Sequence, residues 1–210
     1  MKNEISRMFA CALLLLSSAG FAQSKWKPEI QGGCNFISSG VLFGNWGNGW
    51  DAGAGVSYQL KPSLQIAANT SYHYFPYKGG HVFYAVPRVL GINSSVEGEK
   101  SYAYEASFSA RLNTAKSKYS PFVSFRSGLY YLNIGQINVK IWLGETPLDG
   151  DIYPYAGTGK AVLKGFGSVG LGFNIPIASR WAIRLESGYT STFDGSQQLF
   201  PVLSTIQFNL

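Results

Sequence analysis

Residues 180–192, "RWAIRLESGYTST", put Trp181, Ile183, Leu185 and Tyr189 on alternate positions, with Arg184 and Glu186 between them. A period of two predicts a β-strand with one apolar and one polar face. The same alternation recurs along the chain. Ala52, Ala54, Val56, Tyr58 and Leu60 alternate with glycines, Ser57 and Gln59. After the break at "KPS" (61–63), Leu64, Ile66, Ala68, Thr70, Tyr72 and Tyr74 alternate with Gln65, Asn69, Ser71 and His73. Residues 101–113 set Tyr102, Tyr104, Phe108 and Leu112 against Glu105, Ser107, Ser109 and Arg111. Further strands are predicted near 29–39, 120–133, 161–175 and 199–210.

These segments make eight strands. Three connections between them are short, at 61–63, 114–119 and 176–179. Four are longer, at 40–50, 76–100, 134–160 and, smallest, 194–198. Short and long alternate strictly along the chain. A meander of that kind has turns at one end and loops at the other, the pattern of a transmembrane β-barrel. The expected fold is therefore all-β, an eight-stranded antiparallel up-and-down transmembrane barrel. A hairpin with its tip at Pro62 would pair Leu60 with Leu64 and Tyr58 with Ile66. A second hairpin would pair Tyr72 with Tyr104 and Tyr74 with Tyr102.

Composition decides which face points where. Charged residues are 13 % and aromatic residues 15 % of the 210 residues. The charged share is about half the usual 25 % or so of soluble domains. Mean hydropathy is near zero, and the alternating region has no continuous apolar run long enough for a membrane helix. Both features suit strands whose apolar side chains meet lipid. The alternative, a soluble lipocalin-like barrel, requires the apolar faces to point inward. In the membrane reading Trp181, Ile183, Leu185 and Tyr189 face outward, while Arg184 and Glu186 face in.

The N-terminus reads as an export signal. Lys2 and Arg7 precede the apolar run "MFACALLLL", and "SSAGFAQ" supplies a small-residue site ending at Ala22. Residues 1–22 are expected to be a cleaved signal peptide, 23–28 a short periplasmic lead-in and 29–210 the barrel. Beyond residue 22 the chain has 15 basic and 10 acidic residues. It retains one cysteine, Cys34, so no internal disulfide can form there. Nothing gathers the basic residues into a nucleic-acid-binding run. The modest positive charge is compatible with an anionic lipopolysaccharide surface.

Two sets of residues stand out. Glu105, Arg111, Arg126, Arg184 and Glu186, with Glu29 beside them, are assigned to the interior. Eight strands leave a lumen just wide enough for side chains to fill, so charges there must pair. Glu105 falls diagonal to Arg126 across the 114–119 turn, and an internal polar network is expected. The outward aromatics Tyr58, Tyr72, Tyr74, Tyr102, Tyr104, Trp181, Tyr189 and Phe208 would form two bands at the headgroup levels.

Catalytic chemistry finds little support. The two histidines are His73 and His81. His73 lies near Ser71, but the sequence places no acid beside it. Two histidines and one remaining cysteine do not suggest a metal site, and no cofactor is expected. "GFGSVGLG" (165–172) sits on a strand, so it fails the context of a phosphate loop. Its glycines are expected to make room for interior neighbours or to let the strand bend. The loops offer recognition surfaces instead. Segment 41–50 holds Trp46 and Trp50, and segment 141–155 is rich in aromatic and apolar residues. Either suits a protein or glycan partner. Segment 81–92, "HVFYAVPRVLGI", is expected to pack against other loops.

These patterns, the tyrosine-rich strands and the terminal "STIQFNL" resemble the small eight-stranded outer-membrane barrels, such as the membrane domain of outer-membrane protein A. The terminal segment is similar to the signal read by the barrel-assembly machinery, although its aromatic is Phe208 and the final residue is Leu210. The Ala22-Gln23 junction ahead of a glycine- and tyrosine-rich barrel is similar to the outer-membrane β-barrel domains of Bacteroidota. The resemblance implies a bacterial outer-membrane location, with outer-membrane lipid, lipopolysaccharide and the assembly machinery as partners. It implies a non-enzymatic structural, adhesion or partner-binding role. A narrow solute channel and a component of an envelope assembly or secretion complex stay open as alternatives.

Overall fold

The computed structural model describes residues 25–40, 42, 44–79, 92–113, 119–143, 146–154 and 158–208. The signal segment 1–22 and most of the apolar stretch 81–92 lie outside them. Eight strands close into one antiparallel barrel. They are β1 (Trp26–Gly40), β2 (Gly49–Lys61), β3 (Leu64–Phe75), β5 (Ser101–Asn113), β6 (Ser120–Ile134), β9 (Lys160–Ala178), β10 (Trp181–Thr192) and β11 (Gln197–Phe208). Closure comes from pairing of β1 with β11, in register from Glu29 opposite Gln207. No sheet edge remains in the barrel, which removes the aggregation hazard of unpaired strands.

The apolar side chains stand outside and the polar ones inside. Phe108, Leu171, Leu163, Phe173, Leu129 and Val169 are all more than half exposed. Glu29, Gln31, Gln65, Glu105, Arg111 and Arg184 are buried. This inverts a soluble protein, where charged groups almost never lie fully buried. In the opening stretch Trp181, Leu185 and Tyr189 are exposed, while Arg184 and Glu186 are buried. The orientation matches a barrel whose outer wall meets hydrocarbon and not the inward-facing apolar wall of a lipocalin.

Four boundaries differ from the sequence reading. The connections at 76–100 and 134–160 are not plain loops: they contain β4 (Ile92–Gly98), β7 (Ile137–Leu143) and β8 (Thr146–Pro154), which form a separate sheet in the order β4-β7-β8. β4 pairs with β7 along its length, from Ile92 opposite Leu143 to Gly98 opposite Ile137. Such pairing joins two distant loops, so it leaves no local signal. β9 runs through Pro176 to Ala178, and the turn is shorter than 176–179. A register shift between Trp181 and Ala182 lies opposite Pro176, the kind of irregularity that accommodates proline in a sheet. β1 begins at Trp26, so 26–28 belong to the barrel and not to a lead-in. Leu64 pairs with Lys61, because a register shift between Gln59 and Lys61 sets Leu60 aside.

The other pairings agree with the pattern. Tyr58 faces Ile66. Tyr72 faces Tyr104, and Tyr74 faces Tyr102. The connection after β10 is a tight turn in which Gly195, at φ +67°, takes the left-handed conformation.

Candidate functional site

The barrel interior is built in tiers. Nearest the short turns, Glu29 of β1 accepts hydrogen bonds from Nη1 and Nη2 of Arg184 and from Nη1 of Arg111, each at 3.1 Å. Arg184 Nε donates to Asn174 and Nη2 to Gln65. Gln207 donates to Glu29 and to Ser57. Seven strands thus contribute to the network around one carboxylate and its cations. A two-pronged arginine–carboxylate contact is the strongest and most directional form of ion pair.

The next tier centres on Arg126. Its guanidinium lies 3.6 Å from Glu105 and 3.7 Å from Glu186. Ser107 donates to Glu105 and Ser124 to Glu186, each at 2.6 Å. Of the five interior residues named from the sequence, Glu105, Arg126 and Glu186 therefore meet in one cluster. Arg111 and Arg184 meet in the other through Glu29. Arg184 and Glu186 are neighbours on one strand, yet each finds its opposite charge on another strand.

Glycines shape this tier. A side-chain carbon on Gly170 would stand 2.6 Å from Ser124 Oγ and 2.7 Å from Glu186 Oε1. The glycine pattern in "GFGSVGLG" therefore leaves the volume that Glu186 occupies.

His73 has acidic neighbours that the sequence did not place there. Its Nε2 lies 3.0 Å from Glu105, and Asp51 lies 3.9 Å from Nδ1. Asn35 donates to Asp51 at 2.9 Å and contacts His73 Nδ1 at 3.1 Å. Asp51 sits opposite His73 across β2 and β3, and Glu105 lies one strand further, diagonal to it. Only the registers of three strands bring them together. Tyr130 meets the imidazole edge-on at 5.4 Å.

Above His73 the interior changes character. Phe75, Tyr130, Leu132, Phe166, Leu199 and Leu42 form a buried apolar cap at the loop end. Tyr130 and Phe166 stack at 4.2 Å. A cavity of about 20 Å³ lies between this cap and His73, room for about one water. Charge pairs below and hydrocarbon above leave the described lumen filled.

The loop end is stitched to the cap. Trp46 is buried and donates its indole N–H to the Glu99 carbonyl at 2.9 Å. It also bridges to Tyr77 and meets that ring edge-on. Trp50 stands on the outer wall, stacked with Tyr74 at 5.5 Å. In segment 41–50, therefore, the Trp46 ring is a structural anchor and the Trp50 ring belongs to the outer girdle. The side chains of 141–155 lie outside the described residues. Glu97 and Lys140 pair at 2.9 Å across β4 and β7. Lys164 pairs with Asp194 beside the β10–β11 turn and holds that carboxyl well below the usual range.

The outward aromatics gather in two bands. Trp26 packs on Tyr58 at 4.7 Å and Trp181 on Phe208 at 4.1 Å at the short-turn end. Towards the loops, Trp50, Tyr72, Tyr74, Tyr102 and Tyr104 form a continuous cluster with centroids 5.3 to 6.1 Å apart. Tyr189 joins this level against Phe200. Rings at two heights on an apolar wall are the girdles of a membrane barrel.

The fold is that of the small eight-stranded outer-membrane barrels. Neisserial surface protein A matches with a TM-score of 0.50 at 13 % identity, over 89 % of this chain and 98 % of that one. Other solved structures align over similar spans. The attachment invasion locus protein Ail of Yersinia pestis has a TM-score of 0.47 at 9 % identity, covering 88 % of this chain and 98 % of that chain. The N-terminal barrel domain of Pseudomonas aeruginosa OprF has 0.43 at 10 %, covering 89 % and 100 %. No protein-family model and no curated protein matches the sequence. The fold is thus shared where sequence similarity is slight.

Proposed function

We propose that this protein is a non-enzymatic outer-membrane anchor. Its plugged barrel holds the loop end, with the β4-β7-β8 sheet, as a surface for a protein or glycan partner. The observation that carries this reading is the filled lumen. Two arginine–carboxylate clusters occupy its lower tiers, and an apolar cap lies above them. A solute would have to break several buried ion pairs to pass, and each broken pair leaves an uncompensated charge. His73 supports the non-enzymatic reading, because its ring is held between Glu105 and Asn35 beneath the cap.

The test is reconstitution of the purified protein into planar bilayers. The expected record shows no discrete openings above the lipid background. Reproducible openings would overturn the anchor and favour the narrow channel. In parallel, a variant lacking 137–154 should keep heat-modifiable gel migration from the outer-membrane fraction while losing any partner recovered with the intact protein. Recovery of the intact protein in the soluble periplasm would reject the membrane location.

A further inference from the structure

The side-chain charges beyond residue 22 fall in three places. Of the 15 basic and 10 acidic residues, the interior holds three arginines and four carboxylates, namely Glu29, Glu105 and Glu186 of the two clusters and Asp51 beside His73. The loop end, with its connecting segments, carries six basic and six acidic residues. Of the remaining six cations, Lys25, Lys61 and Arg180 stand exposed at the short-turn end, Lys27 lies half-buried opposite the interior Ser57, and Lys116 and Lys118 fall outside the described residues. No acidic residue lies in the short turns that carry Lys61 and Arg180. The loop end is therefore balanced in sequence, while Lys25, Lys61 and Arg180 leave the short-turn end positive.

The position of these cations says what they meet. The start of β1, the β2–β3 turn and the β9–β10 turn carry Lys25, Lys61 and Arg180, so these cations are distributed around the barrel. Lys25, Lys61 and Arg180 are exposed, and none pairs with a described carboxylate. Lys25 precedes Trp26, which packs on Tyr58. Arg180 precedes Trp181, which packs on Phe208. Interfacial aromatic rings lie at headgroup depth, which puts the neighbouring cations at the level of lipid phosphates.

We infer that this rim binds the headgroups of anionic phospholipids in the leaflet at the short-turn end. The inference rests on the membrane reading above. Cations spread around a circumference against lipid-facing rings fit many separate headgroups. A soluble polyanion would be better served by one continuous groove. Electrostatic attraction at a membrane surface contributes for each Lys or Arg and weakens with salt.

The test is native mass spectrometry of the full-length mature protein in non-ionic detergent, titrated with equimolar phosphatidylglycerol and phosphatidylcholine. Phosphatidylglycerol adducts should exceed phosphatidylcholine adducts by about tenfold. The triple variant Lys25→Gln, Lys61→Gln, Arg180→Gln should bring the two close to parity. A loop-end variant, Lys78→Gln, Lys100→Gln, Lys140→Gln, should keep the preference. Equal retention by the unaltered protein overturns the inference, as does a preference untouched by the triple variant. Capture of inorganic polyphosphate by the barrel in a phosphatidylcholine bilayer, without lipid preference, would overturn it in favour of a soluble polyanion. Heat-modifiable migration of all three proteins separates a loss of lipid preference from a loss of fold, and so from failure of the membrane reading.

Discussion

Arg184 and Glu29 are 155 positions apart in sequence and meet face to face inside the barrel, with Nη1 donating to Oε2 and Nη2 to Oε1, each at 3.1 Å. The contact spans β10 to β1 across the intervening β11. Arg111 adds a second cation to the same carboxylate. Glu29 is thus the shared anion of two buried arginines.

Replacing Glu29 with Gln keeps the shape and removes that anion. Both guanidinium groups then lose their charge partner while staying buried. Breaking a buried pair by removing one side costs about 3–5 kcal/mol. The expected outcome for Glu29→Gln is a loss of that size, read from urea unfolding in lipid vesicles. A midpoint equal to the unaltered protein would count against the lower cluster as a source of stability.

Arg126 serves two carboxylates, Glu105 and Glu186, at slightly longer range. Arg126→Met fills similar volume without charge and leaves both anions facing each other. A loss of about 3 kcal/mol is expected, with a lower temperature for the heat-modifiable gel shift. An unchanged transition would mean that the upper cluster does not depend on its cation.

Gly170→Ala tests the shape of the interior. The new methyl would lie 2.6 Å from Ser124 Oγ and 2.7 Å from Glu186 Oε1, so the ion cluster must shift. Overpacking of this kind costs about 1–3 kcal/mol. Gly32→Ala is the control, since its methyl would meet only the Asp51 carbonyl at 3.5 Å, an ordinary contact. Equal losses from both substitutions would contradict the assigned role of Gly170.

The outer wall makes a separate prediction. Phe108 is 76 % exposed and sits near the middle of β5. An arginine at mid-membrane on the lipid face of a barrel costs about 2–4 kcal/mol, and one near the interface about 0–1 kcal/mol. Phe108→Arg should therefore destabilise the bilayer-embedded barrel much more than Trp181→Arg, which lies in the aromatic band. Equal effects would place Phe108 away from the hydrocarbon centre.

Much of the wall was legible because a strand writes its two faces into alternate residues. Tyr72 and Tyr104 could be paired from the hairpin alone, and Arg184 could be assigned inward from its place between Trp181, Ile183 and Leu185. The partners of these inward groups were harder to read. The Glu105–Arg126 relationship crosses one short turn and is visible in sequence. Asp51 beside His73 requires the exact β2–β3 register at the far end of a hairpin. Glu105 beside the same ring requires a third strand. A signal was available for Asp51, since it falls on the same parity as Ser57 and Gln59.

Trp46 illustrates the opposite limit. In sequence it stands in a glycine-rich loop, where an aromatic side chain reads as a contact surface. Its burial follows from the backbone of a distant loop, through the Glu99 carbonyl and Tyr77. The β4-β7-β8 sheet has the same origin, because its strands come from two different connections.

The sequence by itself determined the strand count of the barrel and the face each strand turns to lipid. Those properties depend on local periodicity and on the order of short and long connections. Tertiary structure alone decided which charges pair, what flanks His73 and how the loop end closes. They depend on barrel closure and strand register, which bring together residues that no local pattern connects.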